Sequence, residues 1–290
     1  MRYTPLNNSV YKRNRSNFMN EMKGNSLAVF NSNDIYPVSA DSELPFEQHR
    51  DIFHLTGIDQ EETILLLYPP SKDDKTREIL FIRKSDNHTK VWEGEKLSKK
   101  QANELSGIDS IYFIDDFKDI LSSIATKVDT FYINKNEHYR ANSPVETRED
   151  RFISWLLKKY PAHNVAKSNP ILQRQRSIKH PDEIDQIKKA CNITRKGFNR
   201  VLEFIKPNVW EYEIEAEFIH EFINSSSKGF AYSPIIASGN DNNVLHYIKN
   251  NKQCKSGELI LMDVGAEYGN YSSDMTRTVP VSGKFSKRQK

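Results

Sequence analysis

Glu258–Ala266 reads ELILMDVGA and Tyr268–Pro280 reads YGNYSSDMTRTVP. Leu259, Leu261 and Asp263 share one face of the first strand, and Ile260, Met262 and Val264 share the other. Apolar residues on both faces predict a buried strand. Gly269-Asn270 between the runs predicts a tight hairpin. A turn on Tyr268-Gly269 sets Asp274 directly opposite Asp263, and a turn on Gly269-Asn270 sets it diagonal. Either register brings both carboxylates to one face within side-chain reach. Two ionised carboxylates in a buried sheet repel and lose hydration, so they call for a shared proton or a cation, and a pair of divalent metals would satisfy both. The competing reading is an Asp that ends a strand and another that shapes a turn.

Upstream, Ser238–Asn243 (SGNDNN) leads into Val244-Leu245-His246-Tyr247. A Gly/Asn-rich loop can set the His246 imidazole at the lip of a cleft, where it could move protons near neutral pH; a hydrogen-bonded structural histidine fits the same string. Pro181, Asp182 and Glu183 suit the first turn of a long helix whose apolar stripe runs from Ile184 to Ile205 and stops at Pro207. A second helix carries Ile214, Phe218 and Phe222 on one face, and its glutamates Glu211, Glu213, Glu215, Glu217 and Glu221 read as a solvated face. Pro161–His180 reads as a connector. Before it, Ser26–Phe30, Thr63–Tyr68, Glu78–Ile82, Ile111–Ile114 and Thr130–Ile133 read as strands. Helical periods lie at Phe117–Ile124 and Phe152–Tyr160. Strands alternating with helices indicate an α/β domain at about residues 1–170, followed by a second domain at about 175–290.

Composition narrows the function classes. The 290 residues carry 42 Lys and Arg against 39 Asp and Glu, a formal charge of +3, which is too weak to argue for nucleic acid. No apolar run approaches the roughly 20 residues of a membrane helix, and the polar N-terminus lacks a hydrophobic signal core. Two cysteines cannot make a disulfide framework, so a cytoplasmic location is expected. No serine elbow, P-loop, H-E-x-x-H or C-x-x-C is present. His49 and His54 have no accompanying set of ligands at metal spacing.

Met262–Pro280, MDVGAEYGNYSSDMTRTVP, resembles the metal-binding hairpin of the Xaa-Pro aminopeptidases (aminopeptidase P), the "pita-bread" metallopeptidases. Ile235–Asn250, IIASGNDNNVLHYIKN, is similar to the segment that brings a substrate-side histidine to their metal centre. Lys179–Ala190, KHPDEIDQIKKA, resembles the helix that opens their catalytic domain. Leu44–Gly57, LPFEQHRDIFHLTG, and Val91-Trp92-Glu93-Gly94 resemble their N-terminal domain. The resemblance implies a creatinase-like α/β N-terminal domain and the first half of an α+β pita-bread catalytic domain.

It further implies that Asp263 and Asp274 ligate a dinuclear site of two divalent ions, usually manganese, one Asp bridging both. The ions would activate the attacking water and polarise the scissile carbonyl, and His246 would steady substrate and developing charge. The substrate would be a peptide with proline second, a bond that general aminopeptidases handle poorly because proline lacks an N–H. The family's runner-up is an Xaa-Pro dipeptidase; from another class, it is a non-catalytic binding protein on the same scaffold. Trp92 matches a loop that can reach a neighbouring subunit's substrate cleft, which implies a homo-oligomer; a core tryptophan is the alternative. The family completes its metal site with a His and two Glu, and no His, Asp or Glu follows Asp274. The expectation is therefore that these 290 residues are a fragment or truncation, without peptidase activity alone and loosely ordered after about Lys179.

Overall fold

The structure is a computed structural model that describes residues 2–136 and 143–290. The chain divides into two compact units, Leu6–Lys179 and a second formed by Met1–Pro5 with His180–Lys290.

In the first unit, β1 (Ser26–Asn31), β2 (Ile64–Leu67), β3 (Glu78–Ile82), β4 (Ser110–Phe113), β5 (Thr130–Ile133) and β6 (Asn164–Lys167) form one sheet in the order β4-β3-β2-β1-β5-β6. β1–β2 and β2–β3 are antiparallel, and the remaining pairs are parallel. Alternate residues feed opposite faces. Ala28, Phe30, Leu65 and Leu80 pack under α1 (Asn8–Glu21), α2 (Arg50–Thr56) and residues of two later helices. Leu27, Val29, Leu66 and Phe81 face the other way, onto Phe117, Leu121 and Ile124 of Phe117–Ala125 and Leu156 of Arg148–Lys159. The five strands read from sequence all form, within one residue or so at their ends.

Pro161–His180 is not a bare connector. It supplies the edge strand β6 and a helix, Asn169–Ser177, which seats Ile171 and Leu172 in the core. Pro170 lies in the first turn of that helix, where its missing N–H has no intrahelical acceptor to lose.

In the second unit, two helices, Pro181–Phe204 and Glu211–Asn224, cover one face of a three-stranded sheet. Its strands are Ile235–Ser238, Leu259–Val264 and Met275–Pro280, with Leu259–Val264 central and antiparallel to both neighbours. The helices meet closely at Gly197, where a Cβ would come within 2.7 Å of the Phe222 ring. Far from being loosely ordered, the region after Lys179 has its own core, in which Phe218, Phe222, Ile236, Ile260 and Met262 are fully buried. The central strand is nevertheless buried on one face only. Ile260, Met262 and Val264 are enclosed, while Leu259, Leu261 and Asp263 are half-buried. The helices shield the first face, and the second has only a partial cover from the loop that carries Tyr247.

Candidate metal centre

The hairpin register selects the diagonal arrangement. Asp263 pairs with Thr276 and Val264 with Met275, and the turn falls on Gly269-Asn270, whose φ values are 59° and 68°. Both positions need left-handed backbone, which Gly and Asn tolerate and Tyr268 would resist. The connecting strands are fastened to the long helix by hydroxyls. Ala266 N–H donates to Thr194 Oγ1 at 2.9 Å and to Ser273 Oγ at 3.0 Å, and those two hydroxyls are 2.7 Å apart.

Gly265 lets the return strand come close. A Cβ there would sit 1.8 Å from the Ser273 carbonyl oxygen, backbone that cannot rotate away. Gly265→Ala is therefore expected to force the strands apart and cost about 1–3 kcal/mol or more. Thermal unfolding checks this; an unchanged Tm would show that the approach is looser than the geometry indicates.

That close approach brings the two carboxylates together on one side chain. The Tyr232 hydroxyl lies 2.6 Å from Asp263 Oδ1 and 3.1 Å from Asp274 Oδ1. A phenol has one proton to give, and the shorter contact takes it. Burial, then the Asp263 hydrogen bond and both carboxylate charges, push the phenol well above its usual range, so it keeps that proton. Among the described residues neither aspartate forms a salt bridge. Two anionic groups thus converge with one shared donor, and Asp274 is exposed. Such a pair of hard oxygen donors fits a divalent ion. Among the described residues no cluster of three or more His, Cys, Asp and Glu completes a ligand set, so Asp263 and Asp274 fit as part of one. Tyr232 was not legible as a site residue, because no spacing rule ties it to aspartates so far along the chain.

His246 is exposed, in a turn between exposed Leu245 and buried Tyr247. The loop around it is well anchored. Glu211, read from sequence as part of a solvated helix face, is completely buried and hydrogen-bonds into this loop. The other glutamates of that helix are not buried; Glu215 bonds Asn250 and Glu217 pairs with Arg200. His49 and His54 are structural. His49 Nδ1 accepts from the Asp51 N–H at a helix start, and buried His54 lies 3.3 Å from the Asn14 amide.

Trp92 belongs to the first unit, at the end of the short helix Asn87–Trp92. It is 76% exposed and stacks on His88, so the core-tryptophan alternative fails. The next residue is held firmly. Glu93 takes two 2.6 Å hydrogen bonds from the Arg83 guanidinium and a 3.1 Å contact from Lys96. These partners depress its carboxyl to about 2.

Comparison with known proteins gives this geometry a lineage. Residues 11–132 match the family model for the aminopeptidase P N-terminal domain, and residues 185–290 match metallopeptidase family M24. The Xaa-Pro aminopeptidase of Escherichia coli is 29% identical over 98% of this chain and 65% of its own length. Human Xaa-Pro aminopeptidase 3 is 30% identical over 89% of this chain and 51% of its own length. The chain thus spans roughly half to two-thirds of these relatives. A Bacillus anthracis structure described as an aminopeptidase P superposes with a TM-score of 0.91 at 30% identity, over 98% of this chain and 67% of that one. Zn-substituted E. coli aminopeptidase P in complex with product superposes at 0.87 and 28% identity, over 99% of this chain and 65% of that one. The fold is accordingly an aminopeptidase P N-terminal domain followed by the start of a pita-bread domain, and the M24 match implies divalent metal ions. On these matches, the chain belongs to the Xaa-Pro aminopeptidase (aminopeptidase P) family of M24 metallopeptidases.

Proposed function

We propose that the protein to which this chain contributes removes the N-terminal residue from peptides with proline in second position, using two divalent ions, manganese by preference. The observation that carries the reading is the convergence of Asp263 and Asp274 on the Tyr232 hydroxyl. Asp263 and Asp274 hold the ions, which when bound supply Lewis acidity and a water of lowered pKa. Tyr232 orients the Asp263 carboxylate by donating to Oδ1, leaving the other oxygen open. In this reading His246 holds or passes a proton beside the substrate. Both cysteines are free thiols, in keeping with a reducing cytoplasm. No helix among the described residues is long and apolar enough to cross a membrane.

The test is release of the first amino acid from an Xaa-Pro tripeptide on adding manganese, by protein that carries the complete ligand set. Cleavage of Xaa-Pro dipeptides alone would favour the dipeptidase. Metal binding without any hydrolysis would favour a non-catalytic protein on this scaffold.

Trp92 is the exposed candidate for a substrate contact, reaching a neighbouring copy's cleft in a homo-oligomer. Trp92→Ala is expected to raise KM roughly 10-fold, the effect of losing one well-packed aromatic contact, with Tm unchanged because the ring is not in the core. An unchanged KM would remove Trp92 from the site.

A further inference from the structure

We propose that Glu211 is the positioning residue of the His246 loop, its buried carboxylate fixing where the imidazole stands. The inference rests on the reading of His246 given above and deepens it.

Glu211 is fully buried at the first position of its helix. Its Oε1 accepts from the Ser238 N–H and the Ser238 hydroxyl, both at 2.8 Å. Its Oε2 accepts from the Tyr247 hydroxyl at 2.7 Å and the Lys252 N–H at 3.0 Å. Ser238 is the last residue before the loop, Tyr247 adjoins His246, and Lys252 lies beyond the far end. One carboxylate therefore ties the entrance, the centre and the exit of the loop.

Four donors fill the acceptor sites of an ionised carboxylate. They and the positive end of a 14-residue helix carry its charge. The Lys252 ammonium is occupied elsewhere, where its Nζ bonds the Ser238 carbonyl and Asp241. Burial, and then Glu211, push the Tyr247 phenol up to about 12, so it stays a donor. The Tyr247 ring packs on Ile235, Ala237 and Leu261, the sheet face that also bears Asp263. Asn250 adds a second fastening: Ile236 N–H donates to its Oδ1 at 3.0 Å, and its Nδ2 donates to Glu215 at 2.8 Å. Between these anchors Leu245 is 89% exposed and His246 is exposed. With the adjoining residue locked, the position of the His246 backbone follows from that of Tyr247. A solvated or merely capping glutamate needs no such reach across the loop.

Glu211→Gln tests this at constant size. Each carboxylate oxygen serves one backbone N–H, so whichever way the amide turns, its NH2 faces Ser238 or Lys252 and that N–H loses its acceptor. Tyr247→Phe is the milder variant, since it removes one donor and keeps the ring. Both are made in the 290-residue protein and read by amide exchange and by NMR of the His246 ring. In Glu211→Gln, exchange across residues 239–253 should rise roughly 10- to 100-fold, the equivalent of one charge-assisted hydrogen bond. The His246 signals should shift and sharpen, while Leu259–Val264 and Met275–Pro280 keep their protection. Tyr247→Phe should move the same probes less. Unchanged loop exchange, or protection lost evenly across both helices and the sheet, would overturn the proposal.

The active enzyme separates this from the peptidase reading. There both variants should lower kcat with KM and metal content held, and a normal kcat with a loosened loop would also overturn the proposal. If the loop loosens as stated but the parent enzyme cleaves no Xaa-Pro peptide, the peptidase reading fails and the positioning role stands.

Discussion

Asp263→Asn and Asp274→Asn should each abolish Xaa-Pro hydrolysis in protein carrying the complete ligand set, a loss on the order of 10³-fold or more given the several kcal/mol that metal ions contribute. The two carboxylates share a single neutral donor, the Tyr232 hydroxyl, and no salt bridge balances them among the described residues. A carboxamide keeps the shape and loses the charge that holds the ion. The same charge argument gives a second readout. Without metal, removing one of two like charges relieves repulsion, so the apo Tm should stay level or rise. With metal, the stabilisation that binding gives the parent by mass action should disappear. A variant that turned over normally with a full metal complement would sink the assignment. A fall in apo Tm would mean instead that the carboxylates hold the hairpin together without an ion.

What the sequence makes legible here is local. The hairpin could be read because period-two alternation and Gly269-Asn270 act over neighbouring residues. Even its open choice of register reduces to chemistry visible in the string, since Asn270 tolerates φ of 68° and Tyr268 in the equivalent role would not. Five strands of the first unit were legible as short apolar runs bounded by polar clusters, but the edge strand β6 was not, because Asn164–Lys167 is mostly exposed and has no such run. The helix Asn8–Glu21 was not. Its inward face includes Asn14 and Arg15, both buried, and these break the apolar stripe. Arg15 Nε pairs with Glu78 at 2.8 Å and its Nη1 donates to the carbonyls of Leu55 and Ser106, partners that no window of sequence contains.

The site divides the same way. Asp263 and Asp274 lie on one hairpin and announce each other. Tyr232 and Glu211 reach their partners across a fold, Glu211 joining a helix start to Ser238, Tyr247 and Lys252. A glutamate among five on one helix carries no mark of burial, and helix periodicity alone favours the solvated reading. The resemblance supplied the roles of the aspartates and of His246. It was silent on what holds His246 in place.

His246→Ala should lower kcat by roughly 10²–10⁴-fold, the range for a lost proton-transfer or charge-stabilising group, with metal content close to that of the parent. The side chain is exposed on a turn, outside the hairpin that carries both aspartates, and the structure gives it no part in the core. Its removal should therefore change the unfolding free energy by no more than the roughly ±0.5 kcal/mol typical of surface substitutions, leaving Tm nearly unchanged. The anchors around it stay intact, since the Tyr247 hydroxyl keeps its 2.7 Å bond to Glu211 and Asn250 its bond to Ile236. This distinguishes the variant from Glu211→Gln, which keeps the imidazole and frees the loop. If His246 acts by its own chemistry, His246→Ala should be the slower enzyme, and adding Tyr247→Phe to it should cost little more, because a loop without its imidazole has nothing left to position. Metal lost from His246→Ala would make the imidazole a ligand. Additive losses in the double variant would mean that Tyr247 and His246 serve the reaction separately.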